Sequence, residues 1–176
     1  ANDALVNSAN ENLDGTRFTP LECWTHLHGD PTGGRWDQDL PVYPTQAIDG
    51  LVSEFGGEEL RRALDAIASD AHGRRCATGS VVITPVYFEM RELYTSALVH
   101  AVPPFYRDPD WAELLHDTYH AAFDAARREE LRTLALPLLS AGARGAPTDD
   151  AMRVAAEAAV SWSGGGGLTA RFGVQD

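Results

Sequence analysis

The sequence predicts an α/β fold in which a sheet is covered by helices on both faces. Short apolar runs of strand length alternate along the chain with longer segments whose apolar residues recur at helical spacing. Strands that are separated by helices of this length are typical of sheets buried on both faces. The strand-like runs lie at residues 4–6, 81–84, 97–102, 133–138 and 168–174.

The first two helices are predicted between the first and second strands. Thr45 is expected to cap a helix that stops at the pair Gly56-Gly57, since glycine ends helices readily. A second helical pattern continues over residues 58–71. Both helices present one apolar face, which is the pattern of a helix packed against a sheet.

Two more helices are predicted in the second half of the chain. Asp108 is expected to cap the first of them, because Pro109 suits the first helical position. Its apolar stripe runs to about residue 128, and the last helix is expected over residues 149–162. The glycine run at 164–167 is interpreted as a flexible connection into the final strand.

Two loops follow predicted strands at the positions where α/β sheets bind ligands. The first strand ends in Asn7 and Asn10, three residues apart. The strand at 133–138 opens into the loop SAGARGAP, in which Gly142 and Gly145 allow the backbone to approach a ligand and present N–H groups to an anion. Because ligands bind at the carboxyl ends of strands, both loops are expected to line one crevice.

Five segments, in sequence order, resemble the macrodomain family of ADP-ribose-binding, or Appr-1''-p processing, domains. DALVNSANENL is similar to the family's first binding loop, close to DAIVNAANxxL, and SAGARGAP is similar to its phosphate-binding loop. IDGLVSEFGGEEL resembles the VDGAIxxAAGxxL helix, CATGSVVITPVYF the CxxGxAxxTxGY strand and ALVHAV the IIHAV strand. The resemblance implies a single macrodomain-like domain over residues 1–176, with a three-layer α/β/α fold and a central mixed sheet.

The resemblance also implies which residues form the site. Asn10 falls on the asparagine that binds the distal ribose, where an amide can both donate to and accept from a sugar diol. Asp49 falls on the aspartate that, in hydrolytic macrodomains, orients or activates the water attacking the ribose anomeric carbon. Asp49 and Asn10 are therefore the expected catalytic residues. The residues expected to bind the ligand are Asn7, Ala9, Asn10, Ser140, Ala141, Gly142, Ala143, Arg144 and Gly145.

Simpler interpretations of the same residues remain open. Asn10 suits an Asx turn that stabilises its own loop, and Asp49 suits the first turn of a helix. Asn7 also suits a structural role. Arg144 stands where the family often has an aromatic residue, so it either pairs with a phosphate or faces solvent. His100, inside ALVHAV, is expected to be a core or strand-paired histidine rather than a catalytic one.

The chain departs from the family pattern after its first loop. A long insert at about residues 16–45 replaces a short glycine-rich loop, and Tyr43-Pro-Thr-Gln-Ala47 stands where the family has glycines. Cys23, His26 and His28 have a spacing compatible with zinc, but no further ligand follows in a fixed pattern. We therefore expect no metal and no cofactor.

The family's adenine-recognising residue has no counterpart here. In the family a strand before the first loop ends in Gly-Asp, whose carboxylate recognises the adenine amino group, and no residue of this chain takes that role by motif. Trp24, Tyr43 or Phe172 offers an aromatic face for stacking instead.

Charge and composition limit the partners. The formal net charge of -12 argues against a nucleic acid partner, which requires a basic face. An anionic ligand must therefore be held locally, by backbone dipoles and an arginine. With no membrane-length apolar run and only the cysteines Cys23 and Cys76, we expect a reduced, intracellular and cytoplasmic protein with no membrane partner.

The expected function is binding of ADP-ribose, together with hydrolysis of an ADP-ribose conjugate or derivative. Its partner would be ADP-ribose or an ADP-ribosylated protein. The retained Asp49 favours the enzyme, whereas the lost polyglycine loop favours a reader that binds without turnover. A third possibility is a divergent macrodomain that binds another nucleotide or a protein through the insert.

Overall fold

The computed structural model describes residues 3–15, 48–93, 96–164 and 166–173, and the structural statements below refer to these residues. All five expected strands are present. In chain order the elements are β1 Ala4–Ser8, α1 Ile48–Asp65, β2 Val81–Pro85, a 3-10 helix Phe88–Leu93, β3 Ala97–Ala101, α2 Trp111–Arg128, β4 Thr133–Pro137, α3 Thr148–Ser161 and β5 Thr169–Gly173.

The strands form one mixed sheet in the order β2-β3-β1-β4-β5. β1 pairs in parallel with β3 and with β4, and β4 pairs in parallel with β5. Only β2 runs antiparallel, at the edge beside β3. The four parallel strands therefore all end on the same side of the sheet, which we call its carboxyl edge.

Helices cover both faces of the sheet, as the three-layer prediction requires. On one face, Val99 of β3 lies in a buried cluster with Phe123 of α2 and residues of α3. On the other face, Leu98 lies in a second cluster with Val52 and Leu60 of α1. Adjacent residues of a strand point to opposite faces, so one apolar run serves both cores.

Tyr119 of α2 fixes the start of the loop that follows β4. Its ring is fully buried, and its hydroxyl accepts a hydrogen bond from the backbone N–H of Leu139 at 3.0 Å. Burial raises the pKa of the Tyr119 phenol. The buried cluster that contains Phe123 therefore continues directly into the backbone that leads to Ser140.

The first helical region differs in part from the prediction. The break expected at Gly56-Gly57 is present as a kink inside α1, where Gly57 has φ 56°. The helix expected to reach residue 71 ends at Asp65, which makes that prediction wrong. Asp70, expected inside the helix, instead closes a turn, because its Oδ1 accepts from the N–H groups of His72 at 2.8 Å and Arg74 at 2.9 Å.

The cap expected at Asp108 is also wrong. Helix α2 begins at Trp111, and its N-cap position is Asp110, which makes no side-chain cap bond. The Asp108 carboxylate instead accepts from the N–H of Phe105 at 2.9 Å and closes the turn before the helix. Asp108 does lie just before a helix, as predicted, but its carboxylate accepts from Phe105 and not from an N–H group of the first helical turn.

Several expectations fall on residues that the structure does not describe. These are the insert at residues 16–45, the cap at Thr45 and the single-domain boundary of 1–176. Among the helices that are described, none is long and apolar enough to cross a membrane.

His100 of β3 is buried, as expected for a strand-paired histidine. Burial lowers the pKa of His100 to about 4, and the charge of Arg61 acts in the same direction. The folded chain therefore keeps this imidazole neutral down to a pH at which the unfolded chain has already bound a proton.

This difference predicts a pH-dependent stability. The unfolded histidine binds a proton below about pH 6.5 and the folded one only near pH 4, so the contribution is complete above pH 6.5 and is lost as the pH falls. Between pH 7 and pH 4 the wild type should lose about 3 kcal/mol more free energy of unfolding than His100→Gln. Urea denaturation at several pH values measures this, with His116→Gln on the surface of α2 as a control that should behave like wild type. An equal fall in wild type and His100→Gln would contradict the assignment.

Candidate functional site

Three loops meet at the carboxyl edge of the sheet. We call residues 9–15, after β1, the first loop; residues 138–147, after β4, the second loop; and residues 102–110, after β3, the third loop. Because β1 lies between β3 and β4, the first loop is flanked by the other two. The two loops expected to line one crevice are therefore side by side.

Asp49 lies beside this edge at the start of α1. Its side chain is buried, and its Oδ1 accepts a hydrogen bond from Asn7 Nδ2 at 2.7 Å. A carboxylate in the first turn of a helix is also stabilised by the helix dipole. The fold thus joins two expected site residues that lie 42 positions apart in the chain.

Asn7 lies beneath the loops rather than among them. Its side chain is buried, and its Nδ2 is also 3.3 Å from Nδ1 of His100. Within the described part of the chain, Asn7 Oδ1 is buried without a hydrogen-bond partner. Asn7 therefore has contacts to Asp49 and His100 that suit the structural role considered for it above.

Thr84 is a site residue that the sequence did not indicate. Its Oγ1 lies 2.9 Å from Nε2 of His100, and both side chains are buried. Only the strand register could have indicated Thr84, because Asn7 pairs with His100 and His100 in turn lies beside β2. That register cannot be read from one strand alone.

Asn10 forms the Asx turn that was left open as its simpler interpretation. Its Oδ1 accepts from the N–H of Asn12 at 3.1 Å and from that of Asp14 at 3.4 Å, and its Nδ2 donates to the carbonyl of Gly15 at 3.4 Å. Two of these three bonds are long, so the amide holds the loop weakly. A ligand contact by Asn10 would replace these bonds.

The second loop combines a fixed base with an open tip. Ser140 is buried, has φ 65°, and donates through Oγ to the carbonyl of Pro104 at 2.8 Å. The N–H of Gly145 donates to the carbonyl of Gly142 at 2.9 Å, and Gly145 has φ 83°. A Cβ at Gly142 would have no atom within 4 Å, so the tip faces open space.

Backbone donors remain available at this tip. The N–H groups of Gly142, Ala143 and Arg144 donate to no other residue in the described ranges, whereas those of Ala141, Gly145 and Ala146 are used within the loop. Consecutive unpaired N–H groups in a turn form a concave donor set that suits an anion. The N–H groups of Ala141 and Gly145, which were expected to bind the ligand, are thus used to close the loop.

Arg144 ties the two loops together. Its Nη2 donates to the carbonyl of Ala9 at 2.8 Å, and its guanidinium lies 4.6 Å from the centre of the Phe105 ring. Burial lowers the pKa of Arg144, while the charges of Glu11, Asp49 and Asp108 oppose that shift. The alternative that Arg144 faces solvent is therefore wrong: the side chain lies across the crevice.

The described residues contain no cluster of metal-ligating side chains. In residues 3–15, 48–93, 96–164 and 166–173, no three or more histidine, cysteine, aspartate or glutamate side chains are grouped so as to hold a metal ion. Cys23, His26 and His28 lie outside these ranges, as do Trp24 and Tyr43. Phe172 is described on β5 and packs edge-on against Tyr119 at 5.8 Å between ring centres.

Proteins with similar sequences include several named as macro domain-containing proteins. A family model described as Macro domain matches residues 6–155. A macro domain-containing protein of Xanthomonas axonopodis pv. citri is 27% identical over 162 residues, which cover 91% of this chain and 72% of that protein. An O-acetyl-ADP-ribose deacetylase of Salmonella gallinarum is 29% identical over 155 residues, which cover 87% of this chain and 67% of that protein.

Solved structures agree on the fold. The Oceanobacillus iheyensis macrodomain with ADP has a TM-score of 0.71 and 21% identity, with 97% of this chain and 75% of that chain covered. The Trypanosoma brucei macrodomain in complex with ADP-ribose has a TM-score of 0.65 and 22% identity, with 97% and 57% covered. At these identities the likeness establishes the architecture only. Together with the family match over residues 6–155, it shows that this chain belongs to the Macro domain family.

Proposed function

We propose that the crevice between the first and second loops binds ADP-ribose, and that the domain hydrolyses an ADP-ribose conjugate or derivative. The single observation that carries the proposal is the set of N–H groups at Gly142, Ala143 and Arg144 that have no partner among the described residues, in a loop whose Arg144 side chain interacts electrostatically with the buried Asp49. Family members bound to ADP and to ADP-ribose support the ligand. The relative named O-acetyl-ADP-ribose deacetylase supports turnover of a derivative.

The diphosphate would be held by the second loop. These N–H groups supply donors, and the Arg144 guanidinium supplies positive charge at the site of a protein whose net charge is -12. Because this guanidinium is already partly desolvated against Phe105 and Ala9, a phosphate gains a charge-assisted hydrogen bond there at little further desolvation. The ligand would exchange the Arg144–Ala9 bond for one to phosphate.

The chemistry would take place at the distal ribose. A water oriented by Asp49 forms a bond to the anomeric carbon while the bond to the leaving group breaks through an oxocarbenium-like state. The carboxylate accepts the water's proton, and the leaving group departs with the electron pair and takes a proton from solvent. Asn10 would hold the ribose hydroxyls through its amide.

A reader without turnover is the second candidate. It is favoured by one observation: both proposed catalytic side chains are already hydrogen-bonded within the protein, Asp49 to Asn7 and Asn10 to its own loop. A reader would use the same loops to bind ADP-ribose on a modified protein. Binding and turnover must therefore be measured separately.

ADP-ribose should bind with micromolar affinity, about -7 to -8 kcal/mol. Gly142→Val should abolish binding without unfolding the domain, because its side chain would project from the open tip into the space of the phosphates. Isothermal titration and thermal denaturation measure the two effects. Gly166→Val is the matched control, since a Cβ at Gly166 also meets nothing within 4 Å but lies before β5, at the opposite end of the sheet. Wild type that gives no heat and no thermal shift at millimolar ADP-ribose would contradict the proposal.

Arg144→Ala should weaken ADP and ADP-ribose by the same factor of about 10 to 100, the scale of a hydrogen bond to a charged group. An equal effect on the two ligands is expected because they share the diphosphate. Arg153→Ala, a surface arginine of α3 that pairs with Glu157, serves as the control and should change neither affinity. Unchanged binding of both ligands by Arg144→Ala would remove the phosphate role.

Asp49→Asn should cut turnover of an ADP-ribosylated substrate by about 100-fold or more while leaving ADP-ribose binding nearly unchanged. The asparagine retains an oxygen to accept from Asn7, so the local packing is kept. Asn10→Ala should weaken binding and turnover together, since it would contact the sugar in both ground and transition states. The assay is release of ADP-ribose from acidic-residue, serine and arginine linkages. If wild type binds tightly but releases nothing from any linkage, the domain is a reader.

A further inference from the structure

Four buried polar side chains form a continuous chain that ends at Asp49. Thr84, His100 and Asn7 lie on the neighbouring strands β2, β3 and β1, and Asp49 follows at the start of α1. The contacts are 2.9 Å from Thr84 Oγ1 to His100 Nε2, 3.3 Å from His100 Nδ1 to Asn7 Nδ2 and 2.7 Å from Asn7 Nδ2 to Asp49 Oδ1. Their exposed fractions are 5%, 1%, 2% and 5% in that order.

Counting donors and acceptors leaves one consistent arrangement. An ionised Asp49 can only accept, so the Asn7 atom that faces it must be the amide nitrogen. The second hydrogen of the same nitrogen faces Nδ1 of His100, which must then be unprotonated. The single ring proton of a neutral His100 therefore sits on Nε2 and is donated to Thr84.

The arrangement has an identifiable cost. Among the described residues Asn7 Oδ1 is buried with no hydrogen-bond partner, which ordinarily destabilises a folded protein. Turning the amide over would direct that oxygen at the Asp49 carboxylate, where two acceptors would repel each other. Asn7 Oδ1 thus lacks a partner because the amide nitrogen must face Asp49.

Charged groups on the neighbouring elements favour the same protonation states. Arg61 of α1 acts on His100 and, together with burial, keeps that ring neutral. Arg144 of the second loop acts on Asp49 from the crevice side, where a positive charge favours the ionised carboxylate.

We propose that Asn7 and His100 are positioning residues for Asp49: the amide nitrogen of Asn7 holds the Asp49 carboxylate toward the crevice, Nδ1 of His100 supports that amide orientation by accepting its second hydrogen, and Thr84 stabilises the ring tautomer by accepting the Nε2 proton. The effect on turnover rests on the proposed function of Asp49. The tautomer and the amide orientation do not depend on it, so the two can fail separately.

Thr84→Val tests the chain without touching Asn7, His100 or Asp49. The substitution keeps the shape of the side chain and removes the acceptor for His100 Nε2–H, so the ring proton should move to Nδ1. An Nδ1–H then attracts Asn7 Oδ1, which turns the amide oxygen toward Asp49. The matched control is Thr118→Val, because Thr118 is equally buried but donates to the carbonyl of Leu114 within α2. Thr84→Ser restores the hydroxyl and should behave like wild type.

The first readout is nuclear magnetic resonance of the 15N-labelled His100 ring and of the 13C-labelled Asp49 carboxyl. At neutral pH, wild type, Thr84→Ser and Thr118→Val should be protonated at Nε2 of His100 and unprotonated at Nδ1. Thr84→Val should move the proton to Nδ1 and shift the Asp49 carboxyl resonance. Wild type protonated at Nδ1 would overturn the proposal, and because this needs no variant, it decides the matter even if Thr84→Val does not fold.

The second readout is turnover. Thr84→Val should lower kcat about tenfold and move the acid limb of the pH–rate profile up by about one unit, with the Kd for ADP-ribose changed less than about twofold. Turnover equal to that of Thr118→Val would overturn positioning and leave a structural network. If wild type has no turnover at all, the hydrolase function is wrong. The positioning proposal is then tested by the Asp49 carboxyl resonance alone, and a resonance that Thr84→Val leaves unchanged would overturn it.

Discussion

The parallel pairing of β1 with β3 on one side and with β4 on the other is the interaction on which the rest of the structure depends. Its register with β3 extends over all five residues of Ala4–Ser8. Because all three strands run in the same direction, the loops that follow them emerge at one edge. The same pairing places Asn7 beside His100 in the sheet interior and Ala9 within reach of Arg144 at its surface. The site is a consequence of strand order.

Electrostatics explain how an acidic chain can offer a site for an anion. With a net charge of -12, the long-range field repels a diphosphate, although salt screens that repulsion beyond about 10 Å. Backbone N–H groups at the tip of the second loop and the Arg144 guanidinium act at contact distance, where local donors outweigh the distant field. Glu11, Asp49 and Asp108 surround Arg144 and keep it protonated despite its burial. Net charge therefore says little about what one crevice can bind.

Most of the fold could be predicted because the strands are short apolar runs buried on both sides, a pattern that the amino-acid order displays directly. The errors at residues 66–71 and at Asp108 both lie at a turn that an aspartate side chain closes. In each case an aspartate side chain bonds a nearby backbone N–H, at His72 and Arg74 or at Phe105, and that choice depends on the geometry of the turn. Helix periodicity does not contain this information.

The convergence of the two loops could be predicted from the sequence, whereas the contacts beneath them could not. Motif resemblance located Asn10, Asp49 and the second loop, whereas the links from Asn7 through His100 to Thr84 depend on a strand register between residues 93 positions apart. Arg144 shows the same limit, because its contacts to Ala9 and Phe105 join three loops that only the sheet brings together.

The central claim is that an anion is held by the N–H groups of the second loop. A titration of the 15N-labelled protein with ADP-ribose, followed by backbone amide resonances, tests it most directly. The account predicts the largest shifts at Gly142, Ala143 and Arg144, with the amides of Gly166 and Gly167 at the opposite end of the sheet unchanged. Saturable binding that leaves the three second-loop amides unshifted, or no binding at all, would contradict it.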